Sequence, residues 1–306
     1  MLRKNYLLIG VFLLLAQPIL AQYPDDLKGD GLKAWLKMYW YDAQFSDLGY
    51  DGAREQMYSY VDEVGGMIYC VYSDFEQTAS VTTYPNPINT EHLIPQSLFG
   101  SESPMRSDLH SLRPAHGSAN SSRSNHPFSE VDDAAANWYG LDAGGSYVST
   151  GAQPSPDEDF SERDGSLWEP QEDRKGDIAR SVFYFYTVYH FQSGDISLVG
   201  DVNILRSWHL ADPADATEIE RNNRAEIAQG NRNPYIDYPG LVDDVWFWTF
   251  IDGCTYLNAT NYDSTANRED LTCLFDDPCP SDFNGDGLVQ TSDLLDMLSF
   301  FGTSCP

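Results

Sequence analysis

The chain has 306 residues, 42% of them hydrophobic, with 18 basic against 47 acidic side chains and a formal net charge of −29. Beyond the first twenty residues no stretch approaches the apolar length of a membrane helix, so no helical membrane span is expected there. The charge does not exclude a polyanionic substrate. Acids crowd Asp157–Asp177 and the region from Asp252 onward, whereas Arg106, Arg113 and Arg123 balance Glu91, Glu102 and Asp108 between Glu91 and Pro127.

At the start, Arg3 and Lys4 precede an apolar run from Tyr6 to Ala16, and Ile19-Leu20-Ala21 offers a processing site before Gln22. That run is too short to span a bilayer and reads as a cleaved signal peptide, residues 1–21, on an exported chain. About 285 residues then remain, enough for one sizeable α+β domain (22–250) and a small tail (251–306). Residues 22 to about 64 read as helical, with Leu32, Trp35 and Leu36 apolar and turns at Gly49 and Gly52. "GGMIYCVYSDF" reads as a strand and "TEHLIPQS" as a second one closed by Pro95. "DLHSLRP" is a short extended run ended by Pro114, and "AHGSANSSRSN" a helix exposed on one side.

The segment Asp132–Gln171, rich in Gly, Pro, Ser, Asp and Glu, reads as a long, loosely ordered surface excursion. A helix capped by Asp177 follows, with Ile178, Val182, Phe185, Tyr186 and Tyr189 at helical spacing. Another runs from a capping box at Thr217 and Glu220 to a stop at Gly230. "DDVWFWTF" closes the main domain. Of five cysteines, Cys70 sits alone and reads as a buried, inert residue; Cys254, Cys273, Cys279 and Cys305 crowd the tail. Their most local pairing is Cys254–Cys273 with Cys279–Cys305, one of three possible patterns. In "DFNGDGLVQTSD", Asp282, Asn284, Asp286 and Asp293 take positions 1, 3, 5 and 12 of a calcium loop, with Gly287 at position 6. Position 12 usually carries Glu, and no partner loop is present. The alternative is an Asx-rich turn without metal. The tail resembles a single dockerin-type calcium repeat, a module that attaches or displays exported proteins.

His92, His110, His116 and His126 lie within 35 residues, among Asp108, Arg113, Asn120, Arg123 and Asn125. No H-E-x-x-H, no G-x-S-x-G and no glycine-rich phosphate loop after a strand is present. The inventory of carboxylate, imidazole and carboxamide suits phosphodiester hydrolysis, which needs a base for water, a divalent cation and groups that hold phosphate. Histidine suits the base and oxygen ligands suit magnesium. Glu91 and His92 are neighbours, so a strand turns them to opposite faces. One can then face a cation and the other the attacking water.

Four matches in order, "TEHLIPQSLF", "DLHSLRPAHGSANSSRSN", "GDIARSVFYFYTVYH" and "ERNNRAEIAQGNRNPYID", make residues 25 to 250 resemble the endonuclease I family. These are secreted or periplasmic nucleases that cut DNA, and often RNA, with little sequence preference. The resemblance implies a ββα-metal (His-Me finger) core surrounded by helices and holding one magnesium. It implies His92 as general base, Glu91 and Asn120 as magnesium ligands, and Arg123 as a catalytic arginine that steadies phosphate or the helix. Asp108 and His110 would support the site from behind. Asn231, Asn233 and Pro234 would pack the C-terminal helix. Longer members carry a cysteine-rich insert with a phosphate-contacting arginine where this chain has only Gly100–Arg106, which leaves Arg106 or Arg113 as stand-ins. The reading is thus an exported, monomeric, magnesium-dependent endonuclease acting on DNA, RNA or both and leaving 5′-phosphate ends. Structural calcium would bind its tail, through which it could attach to a cell surface or scaffold. The alternatives are a ribonuclease with little DNA activity, and a non-catalytic calcium-binding surface protein that keeps a decayed nuclease domain.

Overall fold

A computed structural model describes residues 23–79, 86–190, 192–275, 281–284, 287–299 and 301–302. The expected signal peptide, Cys279, Cys305 and Asp286 lie outside the described residues. The chain divides into two compact units, residues 1–247 and 248–306.

In the first unit, α1 (Gly29–Leu36) and α2 (Gly49–Gln56) each run on into a wider π-helical turn, Lys37–Asp42 and Met57–Val61. Strands β1 (Glu63–Val64), β2 (Met67–Tyr69) and β3 (Glu76–Thr78) form a small antiparallel sheet. The expected long strand "GGMIYCVYSDF" is therefore three residues of β2 followed by a turn that buries Cys70, Val71 and Tyr72. Strand β4 (Ile88–His92) pairs antiparallel with β5 (Leu112–His116), and helix α3 (Gly117–Arg123) follows β5 directly. Pro114 does not end β5. It sits opposite Thr90, and its carbonyl accepts from Val71 N at 2.9 Å. Proline is tolerated here because it forfeits only a donor.

The expected loose excursion is instead an ordered sheet, β6 (Asn137–Leu141), β7 (Tyr147–Thr150), β8 (Ser161–Asp164) and β9 (Leu167–Glu169), in the order β7-β6-β8-β9. Turn residues dominate its composition and hid four short strands. Asp142 holds one turn by accepting from Gly144 N and Ser146 N, both at 2.9 Å. Its small core gathers Val131, Ala136, Trp138 and Phe160. Gly140 is required there, since a Cβ would lie 2.5 Å from the Phe160 ring.

The main core is built around α4 (Lys175–Val188), in which every residue except Asp177 is buried. Such a helix lies inside the domain, not on its surface. It is covered by α5 (Val202–Ala211), α1 and α7 (Pro234–Asp237). Burying side chains such as Phe183 and Phe185 contributes about 1.5–3 kcal/mol each. Asp177 does not cap α4. The cap position is Arg174, and Asp177 lies inside the first turn, where it pairs with Arg180 at 3.1 Å. Helix α6 (Ala216–Gln229) likewise starts before the expected box. Asp215 caps it by accepting from Glu218 N at 2.8 Å, while Glu220 pairs with Arg224 at 2.9 Å. Gly230 ends α6 as expected, with φ +96°.

The apolar run "DDVWFWTF" is divided between the units. Asp243–Phe247 is a short π-helical turn whose Trp246 and Phe247 pack on the main core, whereas Trp248 and Phe250 are exposed residues of the second unit. That second unit contains a parallel pair of two-residue strands, β10 (Asp252–Gly253) and β11 (Arg268–Glu269), and helix α8 (Thr291–Ser299). The expected bridge Cys254–Cys273 is present, with Cα atoms 4.9 Å apart. Among the described residues no helix is long and apolar enough to cross a membrane.

Candidate active site

β4, β5 and α3 bring the sequence-selected residues together. Glu91 faces Arg113 across the ladder and His92 faces Leu112. Both side chains are buried, 2% and 7% exposed, on opposite faces of β4. Glu91 accepts from Tyr72 Oη at 2.8 Å and pairs with Arg123 at 3.1 Å. Burial pushes its carboxyl up to about 7 against the opposing pull of Arg123 and Tyr72.

On the other face, His92 Nε2 lies 3.1 Å from the Arg106 carbonyl, which can only accept, so Nε2 carries the proton. Nδ1 is then the accepting nitrogen, and Gln96 Nε2 donates to it at 3.3 Å. Burial lowers the imidazole to about 4. The Arg106 carbonyl opposes this shift and the guanidiniums of Arg106, Arg123 and Arg54 add to it. His92 is therefore a neutral imidazole across the neutral pH range, in the tautomer that a base acting through Nδ1 needs.

Asn120 sits on α3 with its amide nitrogen donating to Asn89 Oδ1 at 2.8 Å and to the Thr90 carbonyl at 3.1 Å. Those bonds leave its carboxamide oxygen as a ligand group. Glu91, His92, Gln96, Asn120, Ser124 and Asn125 line one open cleft of about 420 Å³. A carboxylate and a carboxamide oxygen beside one cleft are hard donors, too few to replace all the waters of magnesium and suited to sharing them. The donor set fits that ion. A larger cavity of about 580 Å³ between Asp74, Asp142 and Phe160 contains no imidazole. Cys254, Glu269 and Cys273 also approach one another, but their sulfurs are bonded together.

Arg123 is only 1% exposed. Besides Glu91 it binds the carbonyls of His92 at 3.1 Å and Leu93 at 2.6 Å and lies over the Phe128 ring. It ties α3 to the end of β4. Arg113 is turned inward, bonding the Leu112 carbonyl and Ser181 Oγ, both at 3.0 Å. Burial lowers its guanidinium to about 10. Asp108, fully buried, accepts from Tyr184, Tyr189, Gln229 and the His110 amide. His110 lies 3.0 Å from the Asn231 carbonyl. Asn231 donates to Tyr184 Oη, and Asn233 caps α7 and donates to the Arg180 carbonyl. This network binds α4, α6 and α7 to the loop behind the cleft. Sequence reasoning did not select Tyr72, Gln96, Tyr50 or Arg54. Nothing in their spacing marks them, because their places beside Glu91 and His92 arise from long-range packing.

In the second unit, Asp293 is 2% exposed and its carboxylate accepts from Asn284 N at 3.3 Å and Gln290 N at 2.8 Å. Asp282 accepts from Gly287 N at 2.6 Å, and Gly287 holds φ +83°. Asn284 donates to Ser292 Oγ at 2.9 Å.

A hairpin and helix that set a buried carboxylate, a neutral histidine and a carboxamide around one open cleft define a class of site suited to hydrolysis. Comparison with known proteins assigns it further: the endonuclease I family model matches residues 27–240, and the chain belongs to that family. It is 33% identical over 178 residues to an extracellular ribonuclease of Bacillus amyloliquefaciens, covering 52% of this chain and 53% of that protein. It is 29% identical over 170 residues to an extracellular deoxyribonuclease of Aeromonas hydrophila, covering 50% of this chain and 66% of that protein. The chain spans about half the length of the Bacillus relatives it matches.

Proposed function

We propose that the chain is an exported, sequence-nonspecific endonuclease that hydrolyses phosphodiester bonds at a ββα-metal site formed by β4, β5 and α3. The observation that carries this reading is His92, held neutral with Nε2–H on the Arg106 carbonyl so that Nδ1 is the accepting nitrogen, in the cleft that Glu91 and Asn120 also line. Nδ1 takes the proton of a water as its oxygen attacks phosphorus. The P–O3′ bond breaks, O3′ leaves as a hydroxyl by taking a proton from solvent water, His92 returns its proton to solvent, and the 5′ phosphate stays on the downstream fragment. Glu91 and Asn120 would hold magnesium, which would supply positive charge against the charge that develops as the bond to phosphorus forms and breaks. Gln96, whose amide donates to Nδ1, gives up that bond to the attacking water. Arg123 favours the ionised form of Glu91 and fixes the carbonyl end of β4, so it is a positioning residue. Contacts limited to phosphate and sugar carry no base information, hence the lack of sequence preference.

A second reading, a ribonuclease with little DNA activity, is favoured by the name and identity of the Bacillus relative. Export is supported by the basic and apolar first residues and by the names of the extracellular relatives. Asp282, Asn284, Asp286 and Asp293 are proposed to hold calcium.

The test is cleavage of supercoiled plasmid and of RNA by the wild-type chain and His92→Ala, each with magnesium and with EDTA. Loss of about 10²–10⁴-fold in the variant, and of all activity in EDTA, is the expected result. Cleavage that persists in excess chelator overturns the mechanism, and a wild type that cuts neither substrate overturns the function. Cleavage of RNA alone decides for the second reading.

A further inference from the structure

Beside the cleft lies a second cavity of about 510 Å³, lined by Tyr50, Asp51, Arg54 and Arg106, which shares no residue with the first. Tyr50 and Arg54 stand one turn apart on α2 and face the same way. Arg106 comes from the short 3₁₀ turn Met105–Ser107. Both guanidiniums pack against the Tyr50 ring, Arg54 at 4.7 Å and Arg106 at 4.1 Å from its centroid. Tyr50 in turn lies 5.5 Å from the His92 ring. Asp51 lies 3.5 Å from Arg54 and is largely exposed, and among the described residues no salt bridge engages Arg106. The buried Nε of Arg106 has no hydrogen-bond partner. A chain of net charge −29 has thus gathered two guanidiniums at one open cavity, one aromatic ring away from its candidate base.

We propose that Tyr50, Arg54 and Arg106 form a subsite for a phosphodiester neighbouring the scissile one, with the Tyr50 ring edge available to the adjoining sugar or base. This deepens the nuclease reading and rests on it. Guanidinium forks match phosphate oxygens in geometry and charge. The separate lining of the two cavities assigns this anion to a different phosphate from the one His92 serves. Arg106 links the two events, since its side chain grips the flanking phosphate while its own carbonyl fixes the His92 tautomer. The substrate recognised is a polynucleotide with at least one phosphate beyond the cut, and not an isolated diester.

The experiment compares the full chain with Arg106→Gln, Arg54→Gln and Tyr50→Leu on a single-stranded 12-nucleotide DNA or RNA and on bis(p-nitrophenyl) phosphate, with magnesium present. The expected result is a kcat/KM loss on the oligonucleotide that exceeds the loss on the small diester by about tenfold, carried mainly by KM. In the His92→Ala background, each arginine variant also lowers the slope of log binding constant against log salt by about 1. Equal losses on both substrates, or an unchanged salt slope, overturn the subsite. Arg54 is buried, so if its variant fails to fold, the more exposed Arg106→Gln decides alone. A wild type that cleaves neither substrate overturns the nuclease reading and the subsite with it. A wild type that cleaves both while the ratios stay flat overturns the subsite only.

Discussion

Glu91 and His92 are chemical neighbours with opposite perturbations, and burial is the common cause of both. Each is desolvated, which penalises charge, so the carboxyl rises to about 7 and the imidazole falls to about 4. A base already neutral above pH 5 does not limit activity on the acid side, whereas a carboxyl titrating near 7 does, because its proton competes with the cation. The acid limb of kcat/KM is therefore expected to move to lower pH as magnesium is raised. Arg123 lowers the Glu91 value, so Arg123→Met raises it, and the limb shifts by about one unit toward alkaline pH. A pH–rate series at two magnesium concentrations checks both signs. A limb fixed near 6.5 in every sample would return control to an unperturbed histidine, and an unmoved limb in Arg123→Met would reduce that arginine to packing.

Among the elements, α6 shows how a local stop signal becomes a tertiary constraint. Gly230 ends the helix in the left-handed region, and a Cβ there would lie 2.3 Å from the Gln44 carbonyl. The following backbone is pinned as well, because Ser46 N donates to the Gln229 carbonyl at 2.7 Å. Gly230→Ala is expected to destabilise the fold by about 2–3 kcal/mol, from conformation and clash together, as measured by urea unfolding. A cost under about 0.5 kcal/mol would mean that the Gln44 segment yields freely. The helix starts of α4 and α6 teach the complementary lesson. Asp177 and the Thr217–Glu220 pair have the chemistry of caps, yet Arg174 holds the cap position of α4 without a side-chain bond, and Asp215 caps α6 by accepting from Glu218 N.

At the scale of the molecule, the two compact units differ in what holds them. The first has a continuous aromatic core around α4. The second leaves Leu257, Leu271, Leu288 and Leu294 exposed and contains the Cys254–Cys273 bridge and the acidic loop. A unit whose described residues bury so little apolar area gains from a cross-link such as this bridge. Calcium is expected to raise the melting temperature of the tail transition by several degrees, and Asp282→Asn with Asp293→Asn to abolish that gain in calorimetry. A tail transition indifferent to calcium in the wild type would leave the loop an Asx-rich turn.

The sequence by itself determined the family, the hairpin residues Glu91 and His92, the helix bearing Asn120 and Arg123, and the Gly230 stop. All of these are written in contiguous segments whose local chemistry is read without knowing the rest of the chain. The sheet hidden in Asp132–Gln171 was not legible, because strands of three to five residues separated by turns give almost no periodic signal. Only the tertiary structure decided which arginine does what. Arg113 and Arg123 are turned inward while Arg106 stacks on Tyr50 from a helix more than fifty residues away. A guanidinium's role is set by the partners that burial brings to it, and those partners are distant in the chain.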